Sequence, residues 1–168
     1  MARRGKTKAD APLEYPEVGV YHPRTKQRIS ESLRLLPKTG GENGTVGLIL
    51  LRSYLLGRDS HHYDGAIQAF EDAGMKVVPV FASGLDARPA IEKFFMDAGG
   101  RPTVDAIVNL TGFSLVGGPA YADAEAARTV LGDLDMPYLA AHAIEFQSID
   151  EWRKGEQGLM PLEATLMV

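Results

Sequence analysis

Polar and aromatic residues follow several apolar stretches of this sequence, where they could bind a ligand. Arg52 follows the apolar run 46–51, Asp86 follows the run 77–82, and Thr111 ends the run 106–111. An arginine or a set of backbone amides can hold an anion, and an aromatic ring can stack on a flat ligand. The candidate substrate-binding residues are Arg52, Ser53, His62, Tyr63, Asp86, Thr111, Phe113, Gly117 and Gly118.

The histidines and carboxylates do not form a recognisable metal site or catalytic set. His61 and His62 are neighbours, and neighbouring side chains on a helix diverge by about 100°, so they cannot both face one ion. His142 and Glu145 share a face only if their loop is helical. Mg²⁺ prefers oxygen ligands, and possible candidates are Asp59, Asp64, Asp86 and Glu145, but surface carboxylates are commonly just solvated. We therefore assign no catalytic residue and no bound metal.

The glycine loop before a predicted helix has two interpretations. The amides around Gly117 and Gly118 could approach an anion near the positive end of that helix, or the two glycines could form a plain tight turn. The loop matches neither the dinucleotide fingerprint nor the phosphate loop. Phe113 in the same loop either packs under the helix or stacks on a flat ligand. Tyr54 is a second candidate for stacking.

The elements that must position these residues alternate between strands and helices. Apolar runs predict four strands over 46–51, 77–82, 106–111 and 137–141. Helical spacing predicts helices from Asp59 or Ser60 to Gly74, over 87–96 and over 121–134. Strands separated by helices of this length are typical of βαβ crossovers, which build parallel sheets. We predict a flavodoxin-like or Rossmann-like three-layer α/β domain, with a mostly parallel sheet of about four strands in the order two-one-three-four.

The chain divides into three predicted regions. Residues 1–44 form a basic tail and a lead-in rich in proline and glycine, with one short helix near 28–36. Residues 45–160 form the α/β domain, and 161–168 form the start of a truncated helix, in which Pro161 is the first residue. Pro79 lacks a backbone donor, so the second strand should lie near an edge or carry a bulge.

Composition excludes several classes of protein. The chain has 168 residues and no cysteine, so disulfides and thiolate-ligated metals are excluded. Its 18 basic and 22 acidic residues give a net charge of −4, which disfavours binding to nucleic acid. No apolar stretch approaches the roughly 18 residues that a membrane span needs. Residues 1–10 have no apolar core typical of a secretory signal, so we expect a cytoplasmic protein.

The amino-acid sequences in and around these loops resemble those of the H subunits of magnesium chelatase. These are the porphyrin-binding large subunits, and they are related to the large subunits of cobaltochelatase. The resemblance runs in order from about Tyr15 to Val168. The matching strings are Arg52-Ser53 with Leu55 and His62-Tyr63, Pro79-Val80-Phe81-Ala82 with Gly84-Leu85-Asp86, Leu110-Thr111-Gly112-Phe113, Leu115-Val116-Gly117-Gly118-Pro119-Ala120, Leu134-Asp135 with Pro137-Tyr138, Phe146-Gln147 with Glu151-Trp152, and Gly158-Leu159 with Pro161. The string from Thr111 to Ala120 favours the magnesium enzymes.

The resemblance implies insertion of Mg²⁺ into protoporphyrin IX, in the biosynthesis of chlorophyll and bacteriochlorophyll. Mg²⁺ is then a substrate ion, and ATP is hydrolysed by an AAA+ motor subunit and an integrin-like subunit. Family members are several times longer than this chain, so the chain corresponds to a fragment whose remaining large-subunit polypeptide is a further partner. On this interpretation the fragment is inactive alone.

Two other hypotheses stay open. The chain could be a fragment of a cobaltochelatase large subunit, or it could be a non-catalytic module that binds a tetrapyrrole or docks a partner subunit. Stacking by Phe113 or Tyr54, and propionate binding by Arg52 or by the amides of Gly117 and Gly118, follow from their predicted position alone.

Overall fold

The computed structural model describes residues 14–38, 40–118, 120–144 and 146–166. The strands are β1 (Val18–Tyr21), β2 (Ile29–Ser30), β3 (Thr45–Leu51), β4 (Lys76–Ala82), β5 (Ala106–Asn109), β6 (Gly117–Gly118), β7 (Tyr121–Ala122) and β8 (Tyr138–Ala140). The α-helices are α1 (Arg52–Leu56), α2 (His61–Asp72), α3 (Arg88–Phe94), α4 (Ala124–Leu134), α5 (Ile149–Lys154) and α6 (Pro161–Leu166). The basic tail predicted for the first residues lies outside the described residues.

Six strands form the main sheet in the order β2-β1-β4-β3-β5-β8. The pairs β3 with β4, β3 with β5, and β5 with β8 are all parallel. These four strands are the predicted ones, and they lie in the predicted order two-one-three-four. β1 and β2 extend the sheet with antiparallel pairs on the outer side of β4, while β6 and β7 form a separate small hairpin. The predicted α/β class is thereby confirmed.

The sheet is covered by helices on both faces. Along β3, Ile49 packs into a core with α3 and α4, whereas its neighbours Leu48 and Leu50 pack into a second core with α1 and α2. Successive side chains of a strand point to opposite faces, so an uninterrupted apolar run is what a strand between two helical layers requires. The three layers follow directly from that run.

The lead-in differs from its prediction. The helix predicted near 28–36 is wrong: Ile29 and Ser30 pair with β1, and only a 3-10 turn over Leu33–Leu35 is helical. The open edge of β1 offers these residues backbone hydrogen bonds that an isolated short helix could not match. Pro79 lies inside the sheet, in β4, but the ladder with β1 begins only at Val80, so no bulge is needed there.

Two elements were missed along the central part of the chain. The residues after the first strand, predicted as a loop, form the short helix α1. Tyr121 and Ala122, predicted as the first residues of a helix, instead pair with Gly118 and Gly117, and α4 starts at Ala124 behind the Asp123 cap. Within the described residues, no helix is long and apolar enough to cross a membrane.

A buried polar cluster ties the lead-in to α2. His22 is only 1% exposed, and its Nδ1 accepts a hydrogen bond from the Arg24 amide. Its Nε2 therefore carries the proton of the neutral ring and lies 3.2 Å from Glu71 Oε1. Arg24 Nη2 lies 2.8 Å from both Glu71 oxygens, which balances the carboxylate. Burial lowers the pKa of His22 and outweighs the opposing effect of Glu71.

Close packing at the centre of the sheet leads to a first prediction. A Cβ at Gly47 in β3 would lie 2.5 Å from Phe95 Cζ, inside van der Waals contact. We expect Gly47→Ala to lower the free energy of unfolding by about 1–3 kcal/mol, because Phe95 must shift within a packed core. Urea denaturation measures the change. Gly132→Ala in α4 is the matched control, since a Cβ there would meet no atom within 4 Å apart from its own helix backbone and chain neighbours, and it should stabilise by about 0.5–1 kcal/mol.

The buried histidine leads to a second prediction. Because the pKa of His22 is lower in the folded chain than its ordinary value of 6.5, the unfolded chain binds the proton more readily. The free energy of unfolding should therefore fall as the pH drops below about 6.5. In His22→Gln this fall should be smaller, whereas the exposed His61→Gln variant should keep it. Urea denaturation between pH 5 and 8 tests this, and an equal pH dependence in all three proteins would contradict it.

Candidate functional site

The parallel strands bring the predicted candidates to one edge of the sheet. Arg52 directly follows β3, Asp86 lies four residues beyond β4, and Thr111 and His142 each lie two residues beyond their strands. Ligands of open parallel sheets bind at this carboxyl edge, because the crossover loops gather there. A cavity of about 20 Å³ lies between the ends of β3, β4 and β5, and Asp86, Thr111 and Phe113 are among its lining residues.

The buried side chain of Asn109 organises the loop beyond β5. Its Nδ2 donates to Phe113 O at 3.0 Å and to Tyr138 Oη at 2.9 Å. Its Oδ1 accepts from Thr111 N at 3.0 Å and from Thr111 Oγ1 at 2.8 Å. Both donors and both lone pairs of the amide are used, so the side chain fixes the loop in one conformation. The sequence reasoning missed this residue, although a polar residue within the run Ala106–Asn109 was an available signal.

Asp86 is held in place by its neighbour Arg88. Arg88 donates from its amide and its Nε to Asp86 Oδ1, both at 3.0 Å, and from Nη2 to Oδ2 at 2.7 Å. Hydrogen bonds from the Arg88 side chain lower the pKa of Asp86 against the opposing effect of burial. The carboxylate is thus ionised and paired. At the carboxyl edge of the sheet, here named the rim and formed by the loops after β3, β4, β5 and β8, Asp86 holds the loop before α3 in position.

The two glycines join the loops at the ends of β4 and β5. Gly117 N donates to Leu85 O at 2.8 Å, and a Cβ at Gly118 would lie 2.1 Å from Leu85 Cδ1. Gly117 has a φ of +96°, and a Cβ there would lie 2.0 Å from Tyr121 O. A side chain is therefore excluded at Gly117 by the backbone, whereas one at Gly118 would require Leu85 to move. The amide of Gly117 is used between the two loops. Pro119 lies outside the described residues.

Arg52 faces the lead-in. Its Nε donates to Pro16 O at 3.0 Å, and its Nη2 donates to Tyr15 O at 3.1 Å. The guanidinium thus fixes the segment before β1 across the end of β3. Ser53 is exposed on α1, and neither residue lines the cavity between β3, β4 and β5.

The predicted pair His62 and Tyr63 lies in the α2 layer. Tyr63 is fully buried, and its hydroxyl accepts from Leu51 N at 3.1 Å. His62 is exposed, and its ring packs edge-on against Tyr54 with the centroids 5.3 Å apart. Tyr63 therefore supports the end of β3 from within the core, and His62 packs locally against Tyr54.

His142 is exposed next to the loop of Thr111, and a Cβ on Gly112 would lie 3.4 Å from its Nδ1. Glu145, its predicted neighbour, lies outside the described residues. In the described parts of the chain, no three histidine or carboxylate side chains are grouped closely enough to hold a metal ion. The rim thus consists of hydrogen-bonded loops around a shallow cavity.

Fold and rim together define the class as a three-layer α/β domain with a mostly parallel sheet, a class in which ligands bind at the carboxyl ends of the strands. The family model for CobN/Magnesium Chelatase matches residues 1–168. The magnesium-chelatase H subunit of Cereibacter sphaeroides is 54% identical over 160 residues, which cover 95% of this chain and 13% of that protein. The chain belongs to the CobN/magnesium chelatase family.

More distant relatives share the same region. The aerobic cobaltochelatase subunit CobN of a Sinorhizobium species is 27% identical over 161 residues, which cover 94% of this chain and 12% of that protein. The solved catalytic subunit of cobaltochelatase from Mycobacterium tuberculosis superposes with a TM-score of 0.60 and is 25% identical. The match covers 95% of this chain and 12% of the solved one. The chain thus spans about an eighth of the length of these relatives.

The Asn109 network leads to a third prediction. Asn109→Ala removes four hydrogen bonds and leaves buried partners unsatisfied, so we expect the free energy of unfolding to fall by about 1–3 kcal/mol. Amide hydrogen exchange over 111–116 should also become faster. Ser114→Ala, at an exposed position of the same loop, is the control and should change stability by less than about 0.5 kcal/mol. Unchanged exchange in Asn109→Ala would show that the loop is fixed by other contacts.

Proposed function

We propose that this chain is a segment of the large subunit of a magnesium chelatase, which inserts Mg²⁺ into protoporphyrin IX in chlorophyll or bacteriochlorophyll biosynthesis. The observation that carries the proposal is the contrast in identity over the same region. The chain is 54% identical to a magnesium-chelatase large subunit and 27% identical to a cobaltochelatase subunit. The metal in the names of the relatives therefore favours Mg²⁺ as the substrate ion.

Within that subunit, we assign this chain one wall of the tetrapyrrole cleft. Its rim cavity of about 20 Å³ is far below the roughly 300–1,000 Å³ of typical ligand pockets, so this rim by itself cannot enclose a macrocycle. A flat ring could lie across the rim and stack on Phe113, whose backbone carbonyl is fixed by Asn109. The rest of the large subunit would then close the cleft and exclude water.

The chemistry of insertion requires groups that are scarce among the described residues of the rim. Two pyrrole protons must be removed, and Mg²⁺ must exchange its water ligands for ring nitrogens, which calls for an unpaired base close to the ring centre. Asp86 is neutralised by Arg88, and Tyr63 is buried. We propose that this chain mainly positions the porphyrin. The exposed His142 lies at the rim, and the other groups that insertion needs would lie elsewhere in the large subunit.

The other parts of the reaction are assigned to other subunits. ATP would be hydrolysed by an AAA+ motor subunit that works with an integrin-like subunit. The cytoplasm is the proposed compartment. A cobaltochelatase segment is less supported by the identities, and a module that binds a tetrapyrrole without catalysis is the remaining alternative. These alternatives differ in whether the large subunit catalyses metal insertion, and in which metal it inserts.

A chimeric large subunit tests the proposal. The matched segment of the Cereibacter sphaeroides protein is replaced by this chain, and the product is assayed with Mg²⁺, protoporphyrin IX, ATP and the partner subunits. We expect chelatase activity with Mg²⁺, and none with Co²⁺ and a cobaltochelatase substrate. A folded chimera that binds porphyrin without turnover would favour the binding module, and turnover with Co²⁺ alone would favour the cobaltochelatase.

Phe113→Ala in the same chimera tests the assigned rim. Loss of stacking should raise the KM for the porphyrin by about 5- to 30-fold and leave kcat nearly unchanged, because Phe113 contacts the ring in both ground and transition states. Tyr15→Ala is the matched control, since it removes an exposed aromatic ring that does not line the rim cavity. An unchanged KM in Phe113→Ala would place the porphyrin elsewhere.

A further inference from the structure

Residues 146–166 form a small unit at the end of the described chain, here named the C-terminal hairpin. It consists of α5, a connecting segment and α6. Ser148 and Glu151 form a capping box at the start of α5, and the hydrogen bonds from Ser148 lower the pKa of Glu151. Arg153 and Lys154 lie in the last turn of α5, where cations are favourable. The charges of this helix are therefore used to stabilise its own two ends.

The interior of the C-terminal hairpin is polar. Its two buried residues in the described part are Gln147 and Glu163, which are 6% and 2% exposed. Gln147 Oε1 accepts from Met160 N at 2.9 Å, and Gln147 Nε2 donates to Gly158 O at 3.1 Å. The Glu163 carboxylate accepts from the amides of Phe146 and Gln147. Hydrogen bonds between side chain and backbone thus hold the two halves together.

The surface of the C-terminal hairpin carries several large apolar side chains among its charged residues, whereas its buried residues are polar. Five large apolar residues are between 41% and 59% exposed, namely Phe146, Ile149, Trp152, Met160 and Leu162. Ile149 and Trp152 are three residues apart on α5 and therefore share a face of that helix. Exposed apolar side chains at this density are typical of an interaction surface.

The area of this apolar surface limits the kind of partner that can pack against it. Aromatic side chains present roughly 150–250 Å² each and aliphatic ones somewhat less, so these five at about half exposure offer at most about 500 Å² in total. A stable contact between separate molecules buries about 800 Å² on each partner. A smaller surface is sufficient within one polypeptide, because a covalently linked partner is present at a high effective concentration.

We infer that the apolar surface of the C-terminal hairpin is an internal interface that packs against the remainder of the same large-subunit polypeptide. Most of that polypeptide lies outside the matched region, since this chain corresponds to 13% of the Cereibacter sphaeroides protein and 12% of the solved cobaltochelatase chain. The inference rests on the proposed function in taking the chain as a segment of a large subunit. The hairpin then serves to dock this domain onto the body that completes the cleft.

The edge strand β8, which precedes the C-terminal hairpin in the sequence, offers a second exposed apolar position. Leu139 in β8 is 58% exposed, and within the described residues β8 pairs with β5 alone. An uncovered strand edge with an exposed leucine is a liability in a separate domain. Further polypeptide of the same large subunit would cover it.

Trp152 is the only tryptophan of the chain, and hydroxyl-radical footprinting with mass spectrometry can follow its exposure within the full-length chimera. The oxidation rate of Trp152 in the native chimera is divided by its rate in denaturant. With Trp152 at 45% exposure in this chain, an uncovered side chain should give a ratio of about one half. We expect a ratio below about one tenth, because the side chain is covered.

Dilution of the chimera distinguishes the possible partners of this surface, which are the same polypeptide and a second copy of it. Protection that persists when the chimera is diluted to the monomer supports an internal interface. Protection that is lost on dilution would assign the surface to a second copy, and a ratio near one half would leave it uncovered, so that either result overturns the inference. The footprint is read without turnover, so a chimera that lacks chelatase activity but protects Trp152 would fail only the proposed function.

A pair of variants adds a thermodynamic test. Trp152→Ser should lower the thermal unfolding midpoint of the chimera by several degrees, because it removes buried apolar area from the interface. Lys154→Ser, an exposed polar position at the end of the same helix, should leave the midpoint unchanged. Equal effects of the two variants would contradict the docking role.

Discussion

The parallel ladders between β4, β3, β5 and β8 are the constraint on which the rest of the structure depends. β3 and β4 pair over seven residues each, and both strands are buried between two helical layers. Parallel pairing forces each connection to cross back over a face of the sheet, so the loops that leave the strands all emerge at one edge. Arg52, Asp86, Thr111 and His142 lie at a common edge for this reason, although they are far apart in the sequence.

At that edge, most of the polar groups fix the protein itself. Asn109 holds the loop of Thr111, Arg88 holds Asp86, and Arg52 holds the lead-in through two carbonyls. Groups that are already paired are poor bases and poor metal ligands, but they make a rigid surface. The rim is therefore suited to positioning a flat ligand, and less suited to proton transfer.

The size of the chain explains why the rim is open. A domain that makes up about an eighth of its relatives can supply one wall of a large cleft while other parts of the polypeptide supply the rest. The C-terminal hairpin fits the same division, because its polar interior leaves its apolar side chains available for contact. On this view the domain is a platform with one face toward the ligand and another toward the body of the large subunit.

The local patterns of the sequence were sufficient for the four central strands, for α2, α3 and α4 apart from a few terminal residues, and for the start of α6 at Pro161. An apolar run of strand length and a helical repeat are both local signals. The strand order could be predicted as well, because right-handed crossovers leave few arrangements open. The short sequence segments of the rim loops were sufficient to identify the family.

Long-range pairing decided the remaining features. Ile29 and Ser30 became a strand only because β1 offered an open edge, and Tyr121 left its helix to pair with Gly118. The partners of Asn109, Gly117 and Arg52 lie up to 37 residues away in the sequence. Sequence alone thus determined the four central strands, the helices that follow them and the edge to which they lead, because these depend on neighbours along the chain. Only the tertiary structure decided which polar groups are free at the rim, because that depends on contacts between distant residues.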